Sequence, residues 1–372
     1  MSKNLFTPGP LNTSATVRQA MLHDLGSRDE TFMRIVAEIR TELLRLGQVS
    51  HEAGYEAVPM QGSGTFGVES VIGSVVPRKG RLLVIANGAY GERMVKIAQR
   101  LGIDTEVLRC AENEVPDLEQ LHEMLGNDGD ITDVAVVHCE TSSGILNPVE
   151  QIGAIVHEFD RTFIVDAMSS FGGIPLDLAA AHVDYLISSS NKCIEGVPGF
   201  SFILARREHL LTVRDRARSL ALDLFAQWEG LEKNGQFRFT PPTHVLLAFA
   251  QALKELHDEG GVAGRFKRYQ RQHAALISGM SEMGFREYVP RELQGPIITT
   301  FYYPEDPAFQ FEEFYQQLSS RGHVIYPGKL TEHECFRVGN IGQLPADAIP
   351  GLLAAIREVL DGMRVRVLPC VV

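Results

Sequence analysis

Phe163-Ile-Val-Asp-Ala-Met-Ser-Ser170 and Tyr185-Leu-Ile-Ser-Ser-Ser-Asn-Lys-Cys193 decide how this chain folds. Each is an apolar run that gives way to a polar cluster, as a strand does where it leaves a sheet covered by helices on both faces. The first ends on a carboxylate, Asp166, and the second exits on an amine, Lys192, 26 residues later. That interval holds one helical crossover and a return strand. Both groups then reach the same edge of a parallel sheet, where ligands bind in open α/β folds. Asp166 alone reads equally as a cap on the following segment, and Lys192 alone as a solvated lysine. A lysine drawn into an apolar exit, however, loses hydration, and its pKa falls toward that of a nucleophilic amine.

Outward from these runs, short β-branched stretches recur at 56–60, 82–86, 105–108, 134–138 and 201–204. With the two deciding runs they predict a seven-stranded, mostly parallel α/β sheet. Past residue 205 a helix over 244–256 runs to the Gly260-Gly261 pair, where backbone freedom ends helices. A boundary is expected there, with a large domain and its N-terminal arm over 1–258 and a smaller C-terminal α/β domain over 259–372. The smaller domain is predicted to hold helices at 265–283, 311–321 and 346–363 and strands at 297–303, 324–326 and 335–338.

Composition narrows the function. With 35 basic and 47 acidic residues the formal charge is −12, which argues against a nucleic-acid footprint. No apolar run approaches the roughly 18 residues of a membrane span, so no membrane is expected and the chain reads as cytoplasmic. The five cysteines (Cys110, Cys139, Cys193, Cys335, Cys370) are scattered and form no CxxC, so free thiols are expected. The histidines show no HExxH spacing, and no metal site is expected.

Gln61-Gly-Ser-Gly-Thr-Phe-Gly-Val-Glu-Ser70 follows a strand and opens a helix. Its glycines match the GxGxxG dinucleotide fingerprint, but that motif needs an acidic residue at the end of the next strand. Here that strand ends in Ala86-Asn87-Gly88. What remains is a helix N-terminus whose free N–H groups, with the Ser63 and Thr65 hydroxyls, attract a phosphate monoester. The bland alternative is a tight turn without a ligand. A phosphate cup, an aspartate and a lysine from successive sheet exits are what a pyridoxal phosphate site requires.

Three further segments fit. Tyr90, in Ala86-Asn-Gly-Ala-Tyr-Gly91, either stacks on the pyridine ring or packs as an ordinary tyrosine. His138-Cys-Glu-Thr-Ser-Ser-Gly144 brings hydroxyls to another strand exit. Cys335-Phe-Arg-Val-Gly-Asn-Ile-Gly342 sets Arg337 in an apolar strand, where a guanidinium needs an anion: a structural ion pair or a substrate carboxylate.

These residues resemble the class V aminotransferases of the pyridoxal-phosphate-dependent fold type I group, over nearly the whole chain. The most specific pieces are Gln61-Gly-Ser-Gly64, Asn87-Gly-Ala-Tyr-Gly91, Val165-Asp-Ala-Met-Ser-Ser-Phe-Gly-Gly-Ile-Pro175, Ile187-Ser-Ser-Ser-Asn-Lys-Cys193 and Ile325-Tyr-Pro-Gly-Lys329 with Phe336-Arg-Val-Gly-Asn-Ile-Gly342. The resemblance implies that Lys192 carries the cofactor covalently, Asp166 protonates its ring nitrogen, Tyr90 stacks and Thr141 neighbours the ring hydroxyl. It implies that Ser63, Gly64, Thr65 and Asn191 hold the phosphate, with Thr243 reaching in from the second subunit of a homodimer. Arg337 and the backbone around Gly9 would take the substrate carboxylate. The longer matching stretches point to members using 2-aminoethylphosphonate as donor and pyruvate as acceptor, which becomes alanine. Arg93 and Arg34 are further candidates for phosphonate contacts.

Overall fold

A computed structural model describes residues 3–330 and 333–367. Strands β1 (Tyr55–Gln61), β2 (Arg81–Ala86), β3 (Asp104–Arg109), β4 (Ile131–Val137), β5 (Thr162–Asp166), β6 (Tyr185–Ser189) and β7 (Phe200–Arg206) form one sheet in the order β1-β7-β6-β5-β4-β2-β3. All neighbours run parallel except at β7, which is antiparallel to β1 and to β6. Every strand expected between residues 56 and 204 is present within a few residues of its predicted limits. The reason is burial: β6 has no exposed residue, and Phe163–Asp166 of β5 are buried throughout. Each large apolar side chain so placed contributes about 1.5–3 kcal/mol.

The connection from β5 to β6 differs from expectation. No helix crosses there; residues 167–184 form successive turns. Gly172 sits at φ +83°, and Pro175 lacks the N–H a helix would use. A Cβ on Gly173 would lie 2.7 Å from the Cys193 side chain. The turns are therefore pressed against the segment that follows Lys192, which leaves no room for a helix.

The smaller lobe is built from helices Gly261–Glu282, Phe311–Ser320 and Ala348–Met363 and from strands β8 (Ile298–Tyr302), β9 (Tyr326–Pro327) and β10 (Cys335–Gly339). The strands are antiparallel in the order β8-β10-β9. The single strand expected over 324–326 is split. His323–Val324 pairs with Asn4–Leu5, while Tyr326–Pro327 joins β10, and buried Ile325 turns the chain between them. Pro327 has no N–H for a further ladder and stands at the edge.

One hydrophobic core surrounds the seven-stranded sheet and reaches Leu256; a second gathers side chains from Leu276 to Val365 together with Phe6. The N-terminal arm thus docks on the smaller lobe, and the Gly339 N–H donates to the Phe6 carbonyl at 2.9 Å. A separate small cluster that includes Leu11, Ile174, Cys193, Tyr269 and Ile341 gathers side chains from both lobes, Cys193 being next to Lys192 in sequence. Cys110, Cys139, Cys193 and Cys335 are free, and Cys370 lies outside the described residues. Among the described residues no helix is long and apolar enough to cross a membrane.

Because fully buried Phe6 anchors the arm, Phe6→Ala should cost roughly 3 kcal/mol of docking. Hydrogen exchange should quicken over Asn4–Gly9 and stay slow in β5 and β6; unchanged exchange in the arm would remove Phe6 as its anchor.

Candidate active site

The exits of β4, β5 and β6 converge on one cavity, whose wall includes Ser63, Gly64, Thr65, Tyr90, Arg93, Thr141, Asp166, Met168, Ser189, Asn191 and Lys192. Nine residues singled out from the sequence thus meet in one place although they are spread over 130 positions of chain, from Ser63 to Lys192. Lys192 Nζ donates to the Pro8 carbonyl at 3.1 Å, and desolvation pulls its pKa below the ordinary lysine value. Gly9, at φ +119°, lies over it: a Cβ there would stand 2.8 Å from Lys192 Cδ. The arm can lie this close to the amine because position 9 has no side chain.

Asp166 is buried, and its Oδ1 accepts the Met168 N–H at 2.9 Å. Burial pushes its carboxyl up to about 6; the Met168 N–H and the Lys192 and Arg93 charges pull the other way. The phosphate cup opens helix Gly64–Val75, whose N-cap, Ser63, spends no side-chain bond on the helix. Its first N–H groups have no intrahelical acceptor and are free for an anion. Gly64 has no space for a Cβ, which would collide with Met168.

Tyr90 stands on the first turn of helix Ala89–Arg100. Arg93 lies 4.7 Å and Lys329 Nζ 4.1 Å from its ring centroid. Burial raises the phenol's pKa, but the Lys329 and Lys192 charges and a hydrogen bond with Thr141 outweigh it, so the net shift is downward. Arg93 also donates to Thr65 Oγ1 at 3.2 Å.

Arg337, 5% exposed on β10, donates to the Thr141 carbonyl at 2.7 Å and to the Pro327 carbonyl at 3.0 Å. Among the described residues it forms no ion pair with a carboxylate, so the structural pairing that the sequence left open is not found. Arg337 and Gly9 are not on the cavity wall itself but contact it through Thr141 and Lys192, whereas two other candidates stand apart. Thr243 begins helix Thr243–Asp258 and does not line this chain's cavity. Arg34 is 70% exposed beside Glu38 on a surface helix turn, because its face of helix Glu30–Leu46 looks outward.

Two carboxylates that sequence reasoning passed over organise the site. Fully buried Glu140 accepts the N–H groups of Tyr90 (3.0 Å) and Gly91 (3.2 Å) and the Ser142 hydroxyl (2.6 Å), which fixes the helix end that bears Tyr90. Glu195, held at φ +64°, accepts bonds from Arg268, Tyr269, Gly342 and Gln343, while its own N–H donates to the Lys192 carbonyl at 2.7 Å. A glutamate inside the polar cluster of a strand exit, as at 140, was the available signal.

The sequence matches the Aminotransferase class-V family over residues 12–318, and the chain belongs to that family. Among its relatives, the 2-aminoethylphosphonate–pyruvate transaminase of Salmonella schwarzengrund is 51% identical over 96% of this chain and 97% of its own length. In structure, the ureidoglycine-glyoxylate aminotransferase of Bacillus subtilis superposes with a TM-score of 0.90 at 25% identity, covering 98% of this chain and 94% of that one. The alanine–glyoxylate aminotransferase of a Nostoc species gives 0.88 at 27% identity, covering 97% and 96%. The seven-stranded sheet and smaller lobe are thus the class V aminotransferase fold.

The raised Asp166 pKa has a consequence for stability. An unfolded aspartate ionises near about 3.9, whereas the folded one resists ionisation until about 6. The protonated form is therefore favoured by folding, and stability is present below about pH 4 and lost as pH rises toward 6. Asp133, also raised to about 6 by burial, adds to the same slope. In the cofactor-free chain, Asp166→Asn should flatten the fall in denaturation midpoint across this window, and Asp133→Asn with it should flatten it further. A slope untouched by both changes would contradict the assignment.

Proposed function

We propose that this aminotransferase moves the amino group of 2-aminoethylphosphonate to pyruvate, using pyridoxal phosphate and releasing phosphonoacetaldehyde and L-alanine. The observation that carries this reading is the meeting of Lys192 and Asp166 in one cavity beside an Arg337 free of any described carboxylate, in a chain half identical to the Salmonella transaminase. The cavity suits the cofactor on its own chemistry. A desolvated amine with one carbonyl partner faces the place for an aldehyde, a buried carboxyl the place for a ring nitrogen, and a helix N-terminus with Ser63, Thr65 and Asn191 the place for a phosphate. When bound, pyridoxal phosphate supplies the aldehyde that captures amines and an electron-accepting pyridinium ring.

The chain's residues then divide the work. Lys192 Nζ yields its place to the substrate amine and, freed, moves the proton at the carbon bearing that amine; desolvation lowers its pKa and so favours the free base that this step needs. Asp166 holds the proton on the ring nitrogen. Arg337 grips the carboxylate of pyruvate or alanine with its planar fork, and Gly9 lets the arm's backbone close above. The lobe through residue 258 carries the cofactor groups, and the smaller lobe from 259 carries Arg337.

A homodimer belongs to the same proposal. Phe66 beside the phosphate cup and Phe239, whose carbonyl accepts from Gln61, are half exposed, as suits a surface that a second subunit covers. Thr243 from that subunit would complete the cup. The four free described cysteines agree with a cytoplasmic setting.

The purified protein should absorb at long wavelength and lose that band on addition of 2-aminoethylphosphonate alone, but not of serine. Borohydride should trap the cofactor on Lys192, and an adduct on another residue would sink the reading. Arg337→Ala should raise KM for pyruvate about 10- to 100-fold with the absorbance intact. An unchanged KM would remove Arg337 from the substrate site.

A further inference from the structure

A substrate pair with unlike charges poses a problem that Arg337 alone does not solve. Pyruvate presents one charge on two coplanar oxygens, which a guanidinium fork matches. A phosphonate presents close to two charges on three tetrahedral oxygens and calls for a second cation. We infer that Lys329 is that cation, and thereby a specificity-determining residue for the amino donor. The inference rests on the reaction proposed above and deepens it by assigning the second charge of the phosphonate to a named side chain.

Placement is the first argument. Lys329 follows β9, whose Tyr326 pairs in register with Arg337 of β10. Gly328 packs so closely on the Cys335 carbonyl that a Cβ would collide with it, so the loop bearing Lys329 is pressed onto the strand bearing Arg337. The ammonium rests 4.1 Å from the centroid of the Tyr90 ring, and Tyr90 lines the cavity. Thr141 lines the same cavity as Tyr90, and its carbonyl receives Arg337 at 2.7 Å. Lys329 and Arg337 therefore reach two residues of one cavity wall, Tyr90 and Thr141, from the same lobe.

Charge is the second argument. Among the described residues Lys329 has no carboxylate partner, and it is held by a ring face, a weak seat that a dianion can displace. Arg93 also approaches Tyr90, but it is bonded to Thr65 at the phosphate cup and serves that end. Glu140 is committed to backbone N–H groups and to Ser142. The remaining positive charge on the smaller-lobe side is thus Arg337 plus Lys329, one more than a carboxylate needs.

Steady-state kinetics of the holoenzyme test this with Lys329→Met and Lys329→Arg. Lys329→Met should raise KM for 2-aminoethylphosphonate about 10- to 100-fold and KM for pyruvate about twofold or less, and Lys329→Arg should recover most of the loss. The donor deficit should widen as pH rises through the second ionisation of the phosphonate, near about 6 to 7, because the dianion alone uses the second cation. The titratable and charged groups around this spot include Tyr90, Arg93, Glu112, Glu140, Lys192, Tyr326, Cys335 and Arg337, and they are common to variant and parent, so the comparison isolates Lys329. A lysine that merely anchors its loop on Tyr90 would change both KM values alike with no pH trend, and that result overturns the inference. If the parent enzyme consumes no 2-aminoethylphosphonate, the functional reading falls and takes this assignment with it. If the parent consumes it and Lys329→Met is indifferent, the assignment falls alone.

Discussion

A primary amine kept inside a protein is the constraint on which the rest of this structure turns. Water stabilises the protonated form of lysine, so withdrawing Lys192 from water favours the free base, and the position survives only if the backbone around it is held by other means. Glu195 supplies the hold. Its N–H closes the turn onto the Lys192 carbonyl, and its carboxylate gathers Arg268, Tyr269, Gly342 and Gln343. A buried carboxylate stripped of any one partner is costly, which makes the set cooperative. The same bonds reach from the amine's loop to helix Gly261–Glu282 and to the segment after Arg337. Amine and guanidinium are thereby positioned relative to each other by one buried anion.

Electrostatics inside the cavity run opposite to those of the chain as a whole. The protein carries a formal charge of −12, yet Arg93, Lys192, Lys329 and Arg337 cluster around Tyr90, Thr141 and the phosphate cup. Two carboxylates stand close by, and each is committed. Glu140 neutralises the positive end of helix Ala89–Arg100, a location where a carboxylate is favoured, and buried Asp166 accepts the Met168 N–H. The excess of cations is local and matches anions that arrive from solution. Global charge keeps the protein dispersed and says little about what it binds.

The groups that face the cavity were mostly legible in the sequence; the carboxylates that hold them in place were not. Asp166 and Lys192 end continuously apolar strands, and period and burial place such residues without further information. The glycines at 62 and 64 betray a close approach for the same kind of local reason. The residues that escaped notice act over long sequence distances. Glu140 and Glu195 look like ordinary turn residues until their partners are in view, some of them more than 140 positions away in the case of Glu195. The split of 323–327 between two sheets depended on Asn4–Leu5 arriving from the other end of the chain. The turn-built crossover at 167–184 needed knowledge that Cys193 would fill the space a helix requires. Local pattern writes strands and their exits; partners brought by tertiary folding write the rest.

Sheet and rim also belong to different cores, and this bears on how one fold serves several substrates. Asp166 and Lys192 are fixed by the packing of β5 and β6 in the first core. Gly9, Arg337 and Lys329 ride on elements anchored in the second, through Phe6 and through β10. The Bacillus and Nostoc aminotransferases share the fold at about a quarter identity, so the fold alone does not name a substrate. Selection among amines and acids must then lie with side chains that can change without disturbing the parallel sheet. The loop from β9 to β10 meets that condition: its Lys329 reaches the cavity at the ring face of Tyr90, and Gly328 packs it onto β10 of the smaller lobe.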